Sequence, residues 1–213
     1  MSGLRVPDPD DRAALGTFVG RAVRLDPGAT VRLHAADGRV TAWATTPFDV
    51  LATWSVPGTL EPDDATAPAV ALLTALSVDR AATVEVGPAA PWRAPLPPPE
   101  AWGLVVPVPA VELETLTDRA LERARTTAGP HGPSPDLLDE AAFTVTGGAT
   151  AGERPVRVPV RCLFALSGLG LIGASAAPDE TVGVSATRGW LRLDTRHGAV
   201  VRRRVTSLPL LAV

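Results

Sequence analysis

The chain has 213 residues, 46% of them apolar and 20% charged, which suits a soluble globular protein of one large domain or two small ones. Net charge is −3, but residues 1–153 hold 11 arginines against 20 acids, whereas residues 154–213 hold 9 against 3; that asymmetry fits an anionic partner for the basic end, or attraction between the two ends or a sister subunit. Cys162 is the lone cysteine, MSGLRVPDPDD lacks the apolar segment of a signal peptide, and the apolar run 162–177 is broken by glycines and serines, so an internal disulfide and a membrane span are excluded and a cytoplasmic setting is expected.

Asp10 or Asp11 can cap a helix running to about Arg24, with Leu15, Phe18, Val19 and Ala22 on one face and Pro27-Gly28 as its stop. Thr30–Ala36 alternates, Asp37-Gly38 signals a hairpin turn, Arg39–Thr45 returns, and Phe48–Val56 reads as a third strand. A second helix is expected from Thr66 or Pro68 to Val78, then a short strand over Ala82–Val86. Residues 87–109 are proline-rich, with Trp92 and Trp102 among the prolines, and read as an extended strap wrapping the surface. Val111–Thr126 patterns as an amphipathic helix. Strands at 142–146 and 156–160, a mostly apolar helix at 161–175, and strands at 181–187, 190–195 and 199–205 complete the chain.

One internal likeness organises these elements. Ala14–Val56 matches Ala165–Ser207 at an offset of 151 residues, with Pro27 on Pro178, Thr30 on Thr181, Ala35 on Ala186 and Gly38 on Gly189. The strands cluster in hairpins and do not alternate with helices, which argues for α+β over a doubly wound α/β fold. The expected architecture is two pseudo-repeated lobes, residues 1–88 and 108–213, each an antiparallel sheet packed against helices, joined by the strap over 89–107. A true duplication implies a pseudo-twofold between them.

No convergent catalytic set is visible, and the balance leans away from an enzyme. Gly168-Leu-Gly-Leu-Ile-Gly173 spells a dinucleotide fingerprint, but Pro178 leaves no room for the helix that would hold a pyrophosphate. Ser167 lacks the preceding glycine of a nucleophile elbow, and Cys162 reads as a small buried residue. His34, His131 and His197 are isolated and show no metal-ligand spacing. No catalytic residue, metal or cofactor is therefore assigned. The binding candidates are Arg188, Trp190, Arg192, Arg196, Arg202 and Arg204, which strand alternation could gather on a half-exposed sheet able to contact phosphates or stack a base. Arginine is also the preferred cation at protein interfaces.

The segments Phe48-Asp-Val-Leu-Ala-Thr-Trp54, Arg161-Cys-Leu-Phe-Ala-Leu-Ser-Gly168 and Val184–Arg204 resemble an uncharacterised protein family of high-GC actinobacteria. That resemblance spans nearly the whole chain and implies lineage, with no activity or site residue to carry over. The α-β-β-β-α-β order of the first half is similar to secretion-chaperone-like domains at fold level only. The expected function is a non-catalytic binding or regulatory protein with a protein partner or a second copy of itself. The alternatives are a nucleic-acid or nucleotide binder using the arginine face, and an enzyme of undefined type.

Overall fold

The computed structural model describes residues 3–78, 83–97, 102–127, 133–146, 155–173 and 179–204. From the N-terminus, β1 (Gly3–Arg5) leads into α1 (Pro9–Leu25). The helix is capped by Asp8, two or three residues ahead of the expected Asp10 or Asp11: its carboxylate accepts from the backbone N–H of Asp10 and Asp11, and Pro9 sits in the first turn, where no donor is needed. Next come β2 (Thr30–Ala36), β3 (Arg39–Thr45), β4 (Leu51–Pro57), β5 (Thr59–Glu61), β6 (Asp64–Pro68), α2 (Ala69–Val78) and β7 (Thr83–Glu85). Asp37 and Gly38 both take positive φ, 52° and 71°, the conformation a two-residue β2–β3 hairpin demands. After the strap, the chain forms β8 (Gly103–Pro109), α3 (Ala110–Thr127), α4 (Pro135–Asp139), β9 (Ala141–Val145), β10 (Val156–Pro159), α5 (Val160–Gly168), β11 (Thr181–Ala186), β12 (Trp190–Thr195) and β13 (Gly198–Arg203). The protein is thus α+β, with antiparallel sheets and helices. The parts of the expected elements at Ala82, 174–175 and Val205, and His131, lie outside the described residues.

Eight strands make one antiparallel sheet in the order β6-β2-β3-β4-β13-β12-β11-β8. That order is a palindrome of roles about the β4–β13 seam, where Leu51, Ala52 and Thr53 face Val201, Val200 and Ala199. β4 mirrors β13, β3 mirrors β12, β2 mirrors β11 and β6 mirrors β8. The helices obey the same operation: α1 and α5 each precede a three-strand meander, while α2 and α3 each follow an edge strand. The small sheets do too, since β1 pairs with β7 and β10 pairs with β9. The pseudo-repeat is therefore real at the level of architecture, but the two lobes are permuted. The strand-helix-three-strand unit comes first in the N-terminal lobe and last in the C-terminal one.

The 151-residue offset superposes β2 on β11 and β3 on β12, then loses register. Five residues join β3 to β4, whereas two join β12 to β13, so the matched Val50 lies in a loop and Val201 in a strand.

Cross-strand register sorts the two faces. Val31, Ala44, Ala52, Val200, Leu193 and Val184 form one row across the six inner strands of the sheet, and all are fully enclosed in the core beneath the helices. This continuous apolar row makes the two lobes one core. The opposite row, Arg32, Trp43, Thr53, Ala199, Asp194 and Gly183, faces away from the helices. The strap lies against the β6 edge, where Ala90 N–H donates to the Thr66 carbonyl. β8 shows how the proline-rich stretch can also hold a strand: it runs along the other edge of the sheet, where missing donors cost least.

The glycine signature at 168–173 has a structural explanation. Gly170 takes φ 62° just past α5, and Leu171 N–H donates to the Leu166 carbonyl, the 6→1 bond of a Schellman helix stop. A Cβ on Gly168 would stand 2.8 Å from Leu25 Cδ1, so that glycine admits the end of α1. The segment ends a helix and does not open one.

A candidate docking cleft at the lobe junction

The six arginine and tryptophan candidates do not gather on one face. Trp190 and Arg192 point away from the helices, alongside Arg203 and Val201, their cross-strand partners. Arg202 pairs with Leu191 and so points to the helix side. Arg188 is exposed on the β11–β12 turn, and Arg204 folds back there, its guanidinium donating to the Thr187 carbonyl at 2.8 Å. Arg196 sits at the far end of the hairpin, 3.5 Å from Glu180 and donating to His197 Nε2 at 2.7 Å. Burial, with Arg196 and Arg21 nearby, holds His197 below its ordinary pKa. Arg192 is engaged twice, by Asp194 at 2.7 Å and by the ring of Trp102 5.8 Å away, within cation–π range. Three of the six thus have internal carboxylate partners: Asp194, Glu180 and Asp139.

Two of the candidates, Trp190 and Arg202, do line a common cleft of about 150 Å³ at the seam between the lobes. Its walls come from three places. The β3–β4 loop supplies Thr46, Asp49 and Val50, the strap supplies Ala94 and Pro95, and β12–β13 supply Trp190, Val201 and Arg202. Trp190 and Val201 face away from the helices yet are buried, and the strap residues that share their cleft provide the cover. Sequence alternation found Trp190 but assigned it to the open surface, because the strap's path across the sheet is a tertiary fact.

At the helix side of this cleft lies an ionic cluster that sequence inspection missed. The Arg161 side chain is 9% exposed, donates to the Phe48 carbonyl at 2.8 Å and reaches Asp139 at 2.8 Å. The Arg202 side chain, 12% exposed, reaches the other Asp139 oxygen at 2.9 Å. Asp49, 85% exposed, stands 3.9 Å from both guanidiniums. The Nε atoms of Arg161 and Arg202 are buried with no hydrogen-bond partner among the described residues. Arg161 sits in the first turn of an apolar helix and Asp139 ends a five-residue helix 22 positions earlier, a pairing that no sequence spacing announces.

Cys162 is fully buried beside these guanidiniums. Desolvation pushes its thiol up to about 12, with Arg202 and Arg161 opposing. The native state therefore keeps the proton where an unfolded chain releases it at about pH 8.5, so this group's stabilisation is complete below that pH and is lost as pH rises toward 12. Cys162 is expected to resist iodoacetamide at about pH 8.5 in the folded protein and to react fully in denaturant; rapid native alkylation, read by intact mass, would contradict its burial. Among the described residues no group of His, Cys, Asp and Glu side chains could hold a metal ion, and no helix is long and apolar enough to cross a membrane.

The fold is similar to that of bacterial DNA polymerase sliding clamps. The Caulobacter crescentus DNA polymerase III beta subunit matches at a TM-score of 0.58 and 16% identity, over 94% of this chain and 64% of that one. The sliding clamp of Bartonella birtlesii bound to griselimycin matches at 0.56 and 16%, over 98% and 67%. A putative beta subunit from Eubacterium rectale matches at 0.58 and 12%, over 98% and 66%. The chain spans about two thirds of the length of these clamps. Residues 97–207, more than half of the chain, match the domain of unknown function DUF8185, so the protein belongs to that family; residues 1–94 match a second, DUF8010. No curated protein matches the sequence.

Proposed function

We propose that the protein is a non-catalytic cytoplasmic scaffold of sliding-clamp-like architecture that binds a protein segment in the cleft between its lobes. The observation that carries this reading is the convergence of both lobes and the strap on one site with an apolar floor (Val50, Val201, Trp190) and a guanidinium at its edge. Aromatic and arginine anchors set in a concave, largely desolvated site are what concentrate binding energy at protein interfaces. A peptide partner fits better than a second copy added at the sheet edge, because Pro107 and Pro109 remove two backbone donors from β8.

The likeness to DNA polymerase clamps is the support for a nucleic-acid role. Charge speaks against it as the main activity. Among the described residues the five helices carry seven arginines against eight carboxylates, so the helix layer offers no basic excess to a phosphate backbone.

The test is selection from a displayed library of random nonapeptides on the full chain, followed by measured affinities for wild type and Ala94→Trp. The indole would fill the cleft from the strap side, and selected peptides are expected to lose at least about tenfold in affinity, a difference of about 1.4 kcal/mol. Peptides that bind both proteins equally would place their site elsewhere and sink this reading.

A further inference from the structure

We infer that the cleft selects segments bearing a carboxylate, which takes over from Asp49 as the second counter-ion of the Arg161–Arg202 pair. This rests on the docking reading above and specifies the partner's chemistry.

Two guanidiniums, nearly enclosed, share one close carboxylate. Asp139 divides its oxygens between them at 2.8 and 2.9 Å. Among the described residues the remaining positive charge is answered only by Asp49, whose nearest approach to each is 3.9 Å. That is an ion pair by distance but too long for a hydrogen bond. Asp49 is anchored through its loop backbone, at φ 55° and next to the Phe48 carbonyl that Arg161 holds, while its carboxylate stays out in solvent. The buried pair is therefore under-compensated on the cleft side. Asp49 and Arg202 both line the cleft, and Asp49 is 85% exposed, so it can yield to an incoming group without opening the core.

An incoming carboxylate can form the short charge-assisted bonds that Asp49 does not make, and these are roughly twice as strong as neutral ones. Arg203, exposed on the same rim, adds attraction at longer range. The apolar floor lies beside this charge. The geometry therefore points to a segment with an aliphatic or aromatic residue close to an Asp or Glu. In the free protein Asp49 acts as an internal competitor, which disfavours neutral or basic segments less than it tempers acidic ones.

The selected nonapeptides test this directly, using blocked synthetic versions with each Asp or Glu and with its amide counterpart, against wild type and Asp49→Asn. The expected result is a recurring acid among the selected sequences, about tenfold weaker binding when it becomes an amide, and several-fold tighter binding of the acid form by Asp49→Asn with the amide form unchanged. An exposed Asp-to-Asn change keeps the left-handed turn, since Asn also tolerates positive φ, and a retained cooperative melting transition verifies this. Equal affinity of acid and amide forms, or an Asp49→Asn variant that shifts neither or weakens both, overturns the inference. Peptides that ignore Ala94→Trp would instead overturn the cleft itself, so the two failures are distinguishable.

Discussion

Asp139→Ala is expected to lower the unfolding free energy by about 3–5 kcal/mol, the range seen when one partner is removed from a buried ion pair. Asp139 is itself 51% exposed, so the cost does not come from burying its charge. It comes from what remains among the described residues: two guanidiniums, 9% and 12% exposed, with two buried Nε atoms already lacking partners and only a distant Asp49 to answer them. The partner variants sort the contributions. Arg202→Met removes one charge and keeps much of the stem's packing, so Asp139→Ala combined with Arg202→Met should cost less than Asp139→Ala alone. Chemical denaturation of the four proteins in that cycle measures it. A loss below about 1 kcal/mol for Asp139→Ala, the level of an ordinary surface pair, would show that the cluster contributes little.

Val200→Asp should be the more severe lesion, above about 4 kcal/mol and enough to prevent cooperative folding. Val200 is fully buried and faces Ala52 across the seam, in the apolar row of the core. An aspartate there is enclosed with no route to water, and Arg202, two residues along the same face, is already engaged by Asp139. Only three residue pairs register β4 against β13, so the damage falls on the one ladder that makes two half-sheets a single sheet. Soluble protein with a wild-type melting profile would mean that the lobes do not depend on this seam.

What the sequence made legible was local. The Asp37-Gly38 turn, the alternation of β2 and β3, and the apolar faces of α1 and α3 all follow from residues within a few positions of one another, and their bounds came out within one or two residues. β4 starts three residues later than expected because Phe48 and Asp49 serve a positive-φ loop instead of a strand. β6 was read partly as the start of a helix, since its five residues gain strand character only by pairing with β2. Of the site, arginine and tryptophan content drew attention to Trp190 and Arg202. Their opposite faces, and their partners Asp139 and Ala94, depend on contacts spanning roughly a third to half of the chain, which no window of sequence contains.

The chain has no tyrosine and five tryptophans, of which only Trp190 is buried below a tenth of its surface. It sits against the strap, one strand from the guanidinium at the cleft edge. Occupancy of the cleft would alter the polarity and the charge next to that indole, while Trp102 stacks on Arg192, two residues further along the same strand face. The protein thus carries an intrinsic optical gauge, one whose colour and quenching respond to filling of the seam without any attached dye.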